Sequence, residues 1–281
     1  MKSQRVTTGG GFFRKVAAFA FIAARIPILC LALASGATLQ TQAASAHCPV
    51  PSIKEHATVE KVVDGDTLRL ANHRLVRLVG VNAPEIHYDG SPSEPWARAA
   101  KDFLMKLLHN HKTIGLEYET DTQDRYGRQL AHVFFNDHDS PVDVQQKILE
   151  NGLGYWIVIP PNTEYLNCYQ AAESRARQRH LGLWSGAFAT PKNAAEKNTL
   201  TPGFQRLQGT VVDVHRTKKS VWLKFNDQVV LRIATKDIHN FNMTAVYALK
   251  GQTLIARGWL YKHDQELIMP VRLPAALELQ H

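Results

Sequence analysis

From residue 57 to residue 271 the chain is written in short runs that alternate apolar and polar residues, most of them closed by a turn containing Gly, Asn or Asp. Side chains two apart share one face of a strand, so such runs make short, half-buried strands suited to small barrels. ATVEKVVDGDTLRL (57–70) reads as two strands around the polar turn Asp64-Gly65-Asp66, and RLVRLVGV (74–81) as a third. SEPWARAAKDFLMKLLHN (93–110) has helical periodicity instead. Trp96, Ala99, Phe103 and Leu107 fall on one stripe, with Ser91 or Ser93 as the cap. Strands follow at 112–118 and 129–135, then helices at 142–153 and 162–180, the second ended by Gly182. A barrel of about five strands with two or three helices satisfies that order.

Residues 186–205 carry Ala, Asn, Thr, Pro and Gly without periodicity and read as a linker. Beyond it, strands are expected at 207–214, 220–225, 229–234, 253–261 and 266–271, with a covering helix at 237–249. This is a second small β-barrel, OB-like, over 206–281. The expected fold is mainly β with helices (α+β), with a first unit at 47–185 ahead of that second one.

Residues 1–46 stand apart. They hold five of the 33 Lys and Arg and no Asp or Glu, around an apolar middle, and end at Ala44-Ser45-Ala46. This is the pattern of a secretory signal peptide. Without them 28 basic residues face 25 acidic ones, net +3 rather than +8. The working protein is then periplasmic or extracellular. An uncleaved leader would be a membrane anchor, although Arg25 interrupts its apolar run. No later apolar run reaches transmembrane length, and a monomer is the expectation. Cys30 leaves with the leader; Cys48 and Cys168 remain as an even pair, either one disulfide or two buried thiols.

Charge is split between the units: net −3 over 47–185 and net +6 over 186–281. An excess of that size attracts a polyanion. Lys218, Lys219, Lys224, Arg232, Lys236 and Lys262 are its sources. Trp222, Phe225, Trp259 and Tyr261 are either stacking partners for bases or core residues.

The first unit carries the candidate chemistry. Asp64 and Asp66 flank a glycine, and alternation directs both carboxylates to one side unless the turn bends them apart. With a further oxygen from Asn82-Ala83-Pro84-Glu85 they make a hard-cation site. Arg77 lies inside the apolar run LVRLV, on the face opposite Val76 and Leu78, where a guanidinium wants a phosphate or a carboxylate. Arg128 closes the turn Asp124-Arg125-Tyr126-Gly127. Either arginine is also explained by pairing with a local acid. The 13 histidines show no zinc-ligand spacing, and there is no nucleotide-phosphate loop.

Five stretches in order resemble the thermonuclease family, the secreted calcium-dependent nucleases of staphylococcal type. They are VVDGDTLRL (62–70), VRLVGVNAPE (76–85), DRYGRQLAHV (124–133), ENGLG (150–154) and AAESRARQRHLGLWS (171–185). The resemblance implies an OB-fold barrel with three helices, Ca²⁺ as cofactor, and hydrolysis of DNA and RNA to 3′-phosphate products, single strands preferred. It places the family's catalytic arginines on Arg77 and Arg128 and its essential glutamate on Glu85. Its calcium aspartate falls on Asp66, supported by Asp64, with the Ala83 carbonyl as a further ligand. The second metal aspartate falls on Asn82, which keeps an oxygen donor, removes a negative charge and should weaken the metal. Tyr126 and Arg125 are substrate-side candidates. The family's later tyrosines have no aligned match, since Val158 and Pro160 occupy that region; Tyr155 is the nearest candidate. The rival expectation is a nonhydrolytic nucleic-acid-binding protein with a weakened metal site.

Overall fold

The computed structural model describes residues 48–138 and 140–280. The expected signal peptide, its Ala44-Ser45-Ala46 exit and Cys30 lie outside the described residues. The first unit runs β1 (Glu55–Val62), β2 (Thr67–Leu70), β3 (Leu75–Leu78), β4 (Gly80–Asn82), α1 (Ala97–Leu107), β5 (Thr113–Glu117), β6 (Gln129–Asp137), β7 (Ser140–Asp143), α2 (Val144–Glu150), β8 (Tyr155–Ile157) and α3 (Leu166–Gln178). Pairing proceeds β3-β2-β1-β5-β6, and the parallel pair β3–β6 closes the circuit into a five-stranded barrel. Leu68, Val76, Leu78, Ile114, Leu116 and Val133 fill its interior, each on the inward beat of its strand. The barrel and its helices are thus as expected.

Three local readings change. α1 begins at Ala97 rather than at a serine, because Trp96 takes a left-handed conformation (φ 71°) and no side chain caps the helix. The stretch expected to be helical from 142 opens as β7 and turns helical only after Asp143, whose carboxylate accepts the Gln146 N–H at 2.9 Å. The ribbon β4–β8 was too short to show as periodicity.

The second unit runs β9 (Lys192–Asn193), β10 (Gly203–Thr210), β11 (Asp213–Arg216), β12 (Ser220–Lys224), β13 (Val229–Ala234), α4 (Met243–Tyr247), β14 (Thr253–His263), β15 (Glu266–Pro270) and β16 (Leu277–Leu279). All eight strands belong to one sheet. β10 and β11 are two halves of one bent stretch, the first paired with β14 and the second with β12. β13 pairs with β15 in parallel, as β3 does with β6. The order of pairings of the first barrel is therefore repeated. The residues read as a linker are packed: Phe188 lies against Trp184, while Ala194 and Leu200 enter the second core. Tertiary contacts with both units, not periodicity, order this stretch.

The units also meet directly. Arg257 of β14 pairs with Glu173 of α3 at 2.7 and 3.0 Å, donates to the Trp156 carbonyl and lies 4.1 Å over the Trp156 ring. Phe204 of β10 stacks on Tyr155 at 4.0 Å. Buried Arg206 donates to the carbonyls of Phe188 and Ala189, and burial lowers its pKa to about 10. Part of the second unit's positive charge is therefore spent on internal contacts rather than presented to a polyanion. Cys48 and Cys168 come together with Cα atoms 4.8 Å apart, within disulfide range.

Two glycines of the family-like stretches sit back to back. A Cβ on Gly152 would fall 2.1 Å from the Leu181 oxygen, and one on Gly182 would fall 2.2 Å from the Gly152 oxygen. Both have positive φ. Gly152→Ala is expected to cost roughly 3 kcal/mol or more, read as a lowered midpoint in urea.

Asp143, buried between α2 and Tyr169, has its pKa raised by burial from 3.8 to about 6, against the pull of the Gln146 N–H. The folded protein therefore holds a proton there that the unfolded chain has already lost. Stability should fall as pH rises from 3.8 towards 6 and then level off. This contribution is at most roughly 3 kcal/mol. Asp66, held near 6 as well, has the same sign. Unfolding midpoints between pH 4.5 and 7 test this, with Asp143→Asn expected to remove about half of the slope.

Candidate functional site

The turn between β1 and β2 carries Asp64 and Asp66. It lies so close to α1 that a Cβ on Gly65 would fall 2.6 Å from Ala83 Cβ and 2.7 Å from Ala100 Cβ. Glycine is thus required between the aspartates by close approach. Asp64 Oδ1 accepts the Asp66 N–H at 3.0 Å, which folds its carboxylate over the turn. Asp66 is buried; its Oδ2 accepts the Ala83 N–H at 2.7 Å and meets Arg77 Nη2 at 3.0 Å.

Arg77 is fixed from every side. Nη1 donates to the carbonyls of Leu78 and Val81 at 2.6 and 2.7 Å, and Nη2 to Asn82 Oδ1 at 2.9 Å as well as to Asp66. Val76 and Leu78 face the core, so alternation gives Arg77 no alternative but the opposite face. Asn82 gives its amide nitrogen to the Ala83 oxygen at 3.1 Å and to the Tyr155 hydroxyl at 2.8 Å. Tyr155 is buried, packed against the rings of Phe188 and Phe204, with burial raising its pKa well above the usual phenol value. It supports Asn82 and does not face solvent, contrary to its expected contact with substrate.

Arg128 is set by Asp124, which accepts from Nε at 2.7 Å and from the Arg128 and Tyr126 N–H groups at 3.0 and 2.9 Å. Although burial works against it, these bonds hold the Asp124 carboxyl below its ordinary range. Tyr126 is exposed, with Arg125 4.8 Å and Arg128 5.7 Å from its ring. Glu85 lies at the surface between these groups. Burial and then Asp64 raise its pKa, with Arg77 and Arg128 opposing. Arg77, Glu85, Arg128, Arg125 and Tyr126 line one cleft of about 1020 Å³, and Trp259, Tyr261 and Arg272 of the second unit form its far wall.

Trp222 and Arg232 instead pair across β12 and β13, with the guanidinium 5.8 Å from the indole. Lys224 reaches Asp227 at 3.8 Å, while Lys218 and Lys219 are exposed on the β11–β12 turn. None of these five lines the cleft. Phe225 is buried under Gly209. Net charge indicated the unit but not which face meets the site. Arg272 escaped notice because a lone arginine after a strand carries no pattern.

The donors at the Asp66 end are all hard oxygens: two carboxylates, the Ala83 carbonyl and the Asn82 amide. Asp64 and Glu85 each raise the Asp66 pKa, though burial does so more and Arg77 opposes them. A divalent cation would relieve that repulsion, so the donor set fits one. Asn82 is the exception in detail, since its oxygen is taken by Arg77. Among the described residues, the group of three or more His, Cys, Asp or Glu whose ligand atoms all lie within 4.8 Å of one another is Cys48, Asp143 and Cys168, away from Asp66. A cation at Asp66 would therefore be completed by carbonyls and water.

Comparison with known proteins agrees with this geometry. Residues 75–186 match the family described as staphylococcal nuclease homologue. The chain is 34% identical to a thermonuclease of Staphylococcus intermedius over 133 residues, 46% of this chain and 76% of the relative. It is 30% identical to endonuclease YncB of Bacillus subtilis over 135 residues, 46% of this chain and 62% of that protein. A small barrel with two arginines and an acidic turn beside one cleft is the class that fold and site define. The chain belongs to the staphylococcal nuclease homologue family.

Proposed function

We propose that the protein is an exported, Ca²⁺-dependent phosphodiesterase that cuts DNA and RNA internally, prefers single strands and leaves 3′-phosphates. The observation that carries this reading is the convergence of Arg77, Arg128 and Glu85 on one cleft. Arg77, held by three backbone and side-chain oxygens besides Asp66, offers its remaining donor capacity to a nonbridging phosphoryl oxygen. Arg128, pinned through Nε by Asp124, turns its terminal nitrogens to another, and to the leaving 5′-oxygen. Glu85 takes the proton of the attacking water; a carboxyl raised above its usual range is a better base near neutrality. Asp66, Asp64 and the Ala83 carbonyl would hold Ca²⁺, with Asn82 a poorer fourth ligand, and the ion would offset charge on the phosphoryl oxygens. Names among the relatives, thermonuclease and endonuclease, support a nucleolytic role. The basic, apolar leader supports export, with Cys48 and Cys168 closing as a disulfide. No helix among the described residues is long and apolar enough to cross a membrane.

A second reading, a nucleic-acid binder without hydrolysis, draws on one observation: Asn82 brings no charge and its oxygen is engaged by Arg77. Titration of Ca²⁺ against cleavage of single-stranded DNA and RNA separates the two. Cleavage that depends on Ca²⁺ and drops about 10²-fold or more in Glu85→Gln is the expected result. Its absence at every Ca²⁺ concentration supports the second reading. Asn82→Asp should lower the Ca²⁺ concentration needed for half-maximal rate. Since Glu85 must be ionised to act, kcat/KM should fall as pH drops through its raised pKa. The acid limb is thereby displaced above the ordinary value of 4.5.

A further inference from the structure

We propose that the second β unit completes the cleft with a nucleobase subsite. The indole of Trp259, flanked by Tyr261, stacks on a base of the same strand whose phosphate lies between Arg77 and Arg128. The proposal rests on the phosphodiesterase reading of the cleft and adds to it where the strand's bases go.

The geometry begins with strand alternation. Arg257, Trp259 and Tyr261 are two apart on β14 and share one face of it, while Leu260 between them is buried in the opposite direction. The first of the three fastens that face to the first unit through Glu173 and Trp156. The next two therefore stand over the cleft that holds Arg77, Glu85 and Arg128. Phe204 meets the Trp259 ring edge-on at 5.5 Å, which fixes the indole from one side. Trp259 nevertheless remains 43% exposed, so its ring is open to the cleft. Arg272 stands on the same wall, its Nε on Asp237 at 3.2 Å and its Nη2 on the Pro160 carbonyl at 3.1 Å. An aromatic face beside guanidinium groups is the combination that binds single strands, bases on rings and backbone on cations. Burial of Tyr155 sharpens the case: the first unit's own tyrosine after the Gly-Leu segment is withdrawn from the cleft, and the second unit's aromatics stand there instead.

The test is a binding cycle on the full protein carrying Glu85→Gln, so that the strand stays uncut. Octathymidylate and an octamer of abasic sites are titrated with and without Trp259→Ala, and with Trp259→Phe. Trp259→Ala should weaken octathymidylate by about 5- to 100-fold and change the abasic octamer by less than about two-fold. Trp259→Phe should recover most of the loss, which separates stacking from misfolding. Equal weakening of both ligands, no weakening of either, or no binding of octathymidylate by the parent overturns the proposal. Cleavage of octathymidylate by the unsubstituted protein is read in parallel. Binding coupled to Trp259 without cleavage would remove the hydrolytic reading and leave the base platform standing.

Discussion

The pairing of Asp66 with Arg77 is the interaction on which the rest of the site depends. Two opposite charges, one wholly buried and the other nearly so, are tolerable only because each is also bonded to the backbone. Those backbone bonds tie together the β1–β2 turn, β3 and the start of the Asn82-Ala83 loop. Removing either partner would leave a charge in poor solvent, so the pair fixes the geometry of three segments whatever its net stabilisation. Burial raises the Asp66 pKa to about 6 while Arg77 opposes it. The site therefore holds a desolvated carboxylate that an incoming cation would stabilise.

Arg128 is prepared differently. Its guanidinium is oriented by a single carboxylate that simultaneously closes the turn behind it, so orientation and backbone conformation are set by the same residue. One arginine is largely enclosed and bonded through both terminal nitrogens, the other more exposed at a rim beside Tyr126. The first suits a fixed phosphate position and the second suits a group that must admit and release a strand.

Much of this was legible in the chain itself. Alternation around Arg77 dictated which face its side chain takes, and the glycine between two aspartates marked the close approach of that turn to Ala83 and Ala100, because strand geometry and close packing act over a few residues. The barrel followed from strand lengths. What escaped depends on contacts between distant segments. Tyr155 looks like a surface aromatic until Phe204, 49 positions later in the chain, covers it. The +6 of the second unit looked like a single electrostatic surface, yet Arg206 and Arg257 are turned inward, and Trp259 and Tyr261 line the cleft while Lys218, Lys219 and Lys224 do not. The stretch after Ser185 reads as a linker because composition alone cannot reveal that its few apolar residues find partners on both sides.

The contact between Glu173 and Arg257 bears on how such a chain can be taken apart. Glu173 sits on a helix of the barrel, almost fully enclosed, and its counter-charge arrives from the other half of the polypeptide. A barrel excised from this protein would be left with a stranded anion and a bared Trp156. The two halves have become mutually obligate at one helix, and recombining either with a foreign partner would first require that acid to be rewritten.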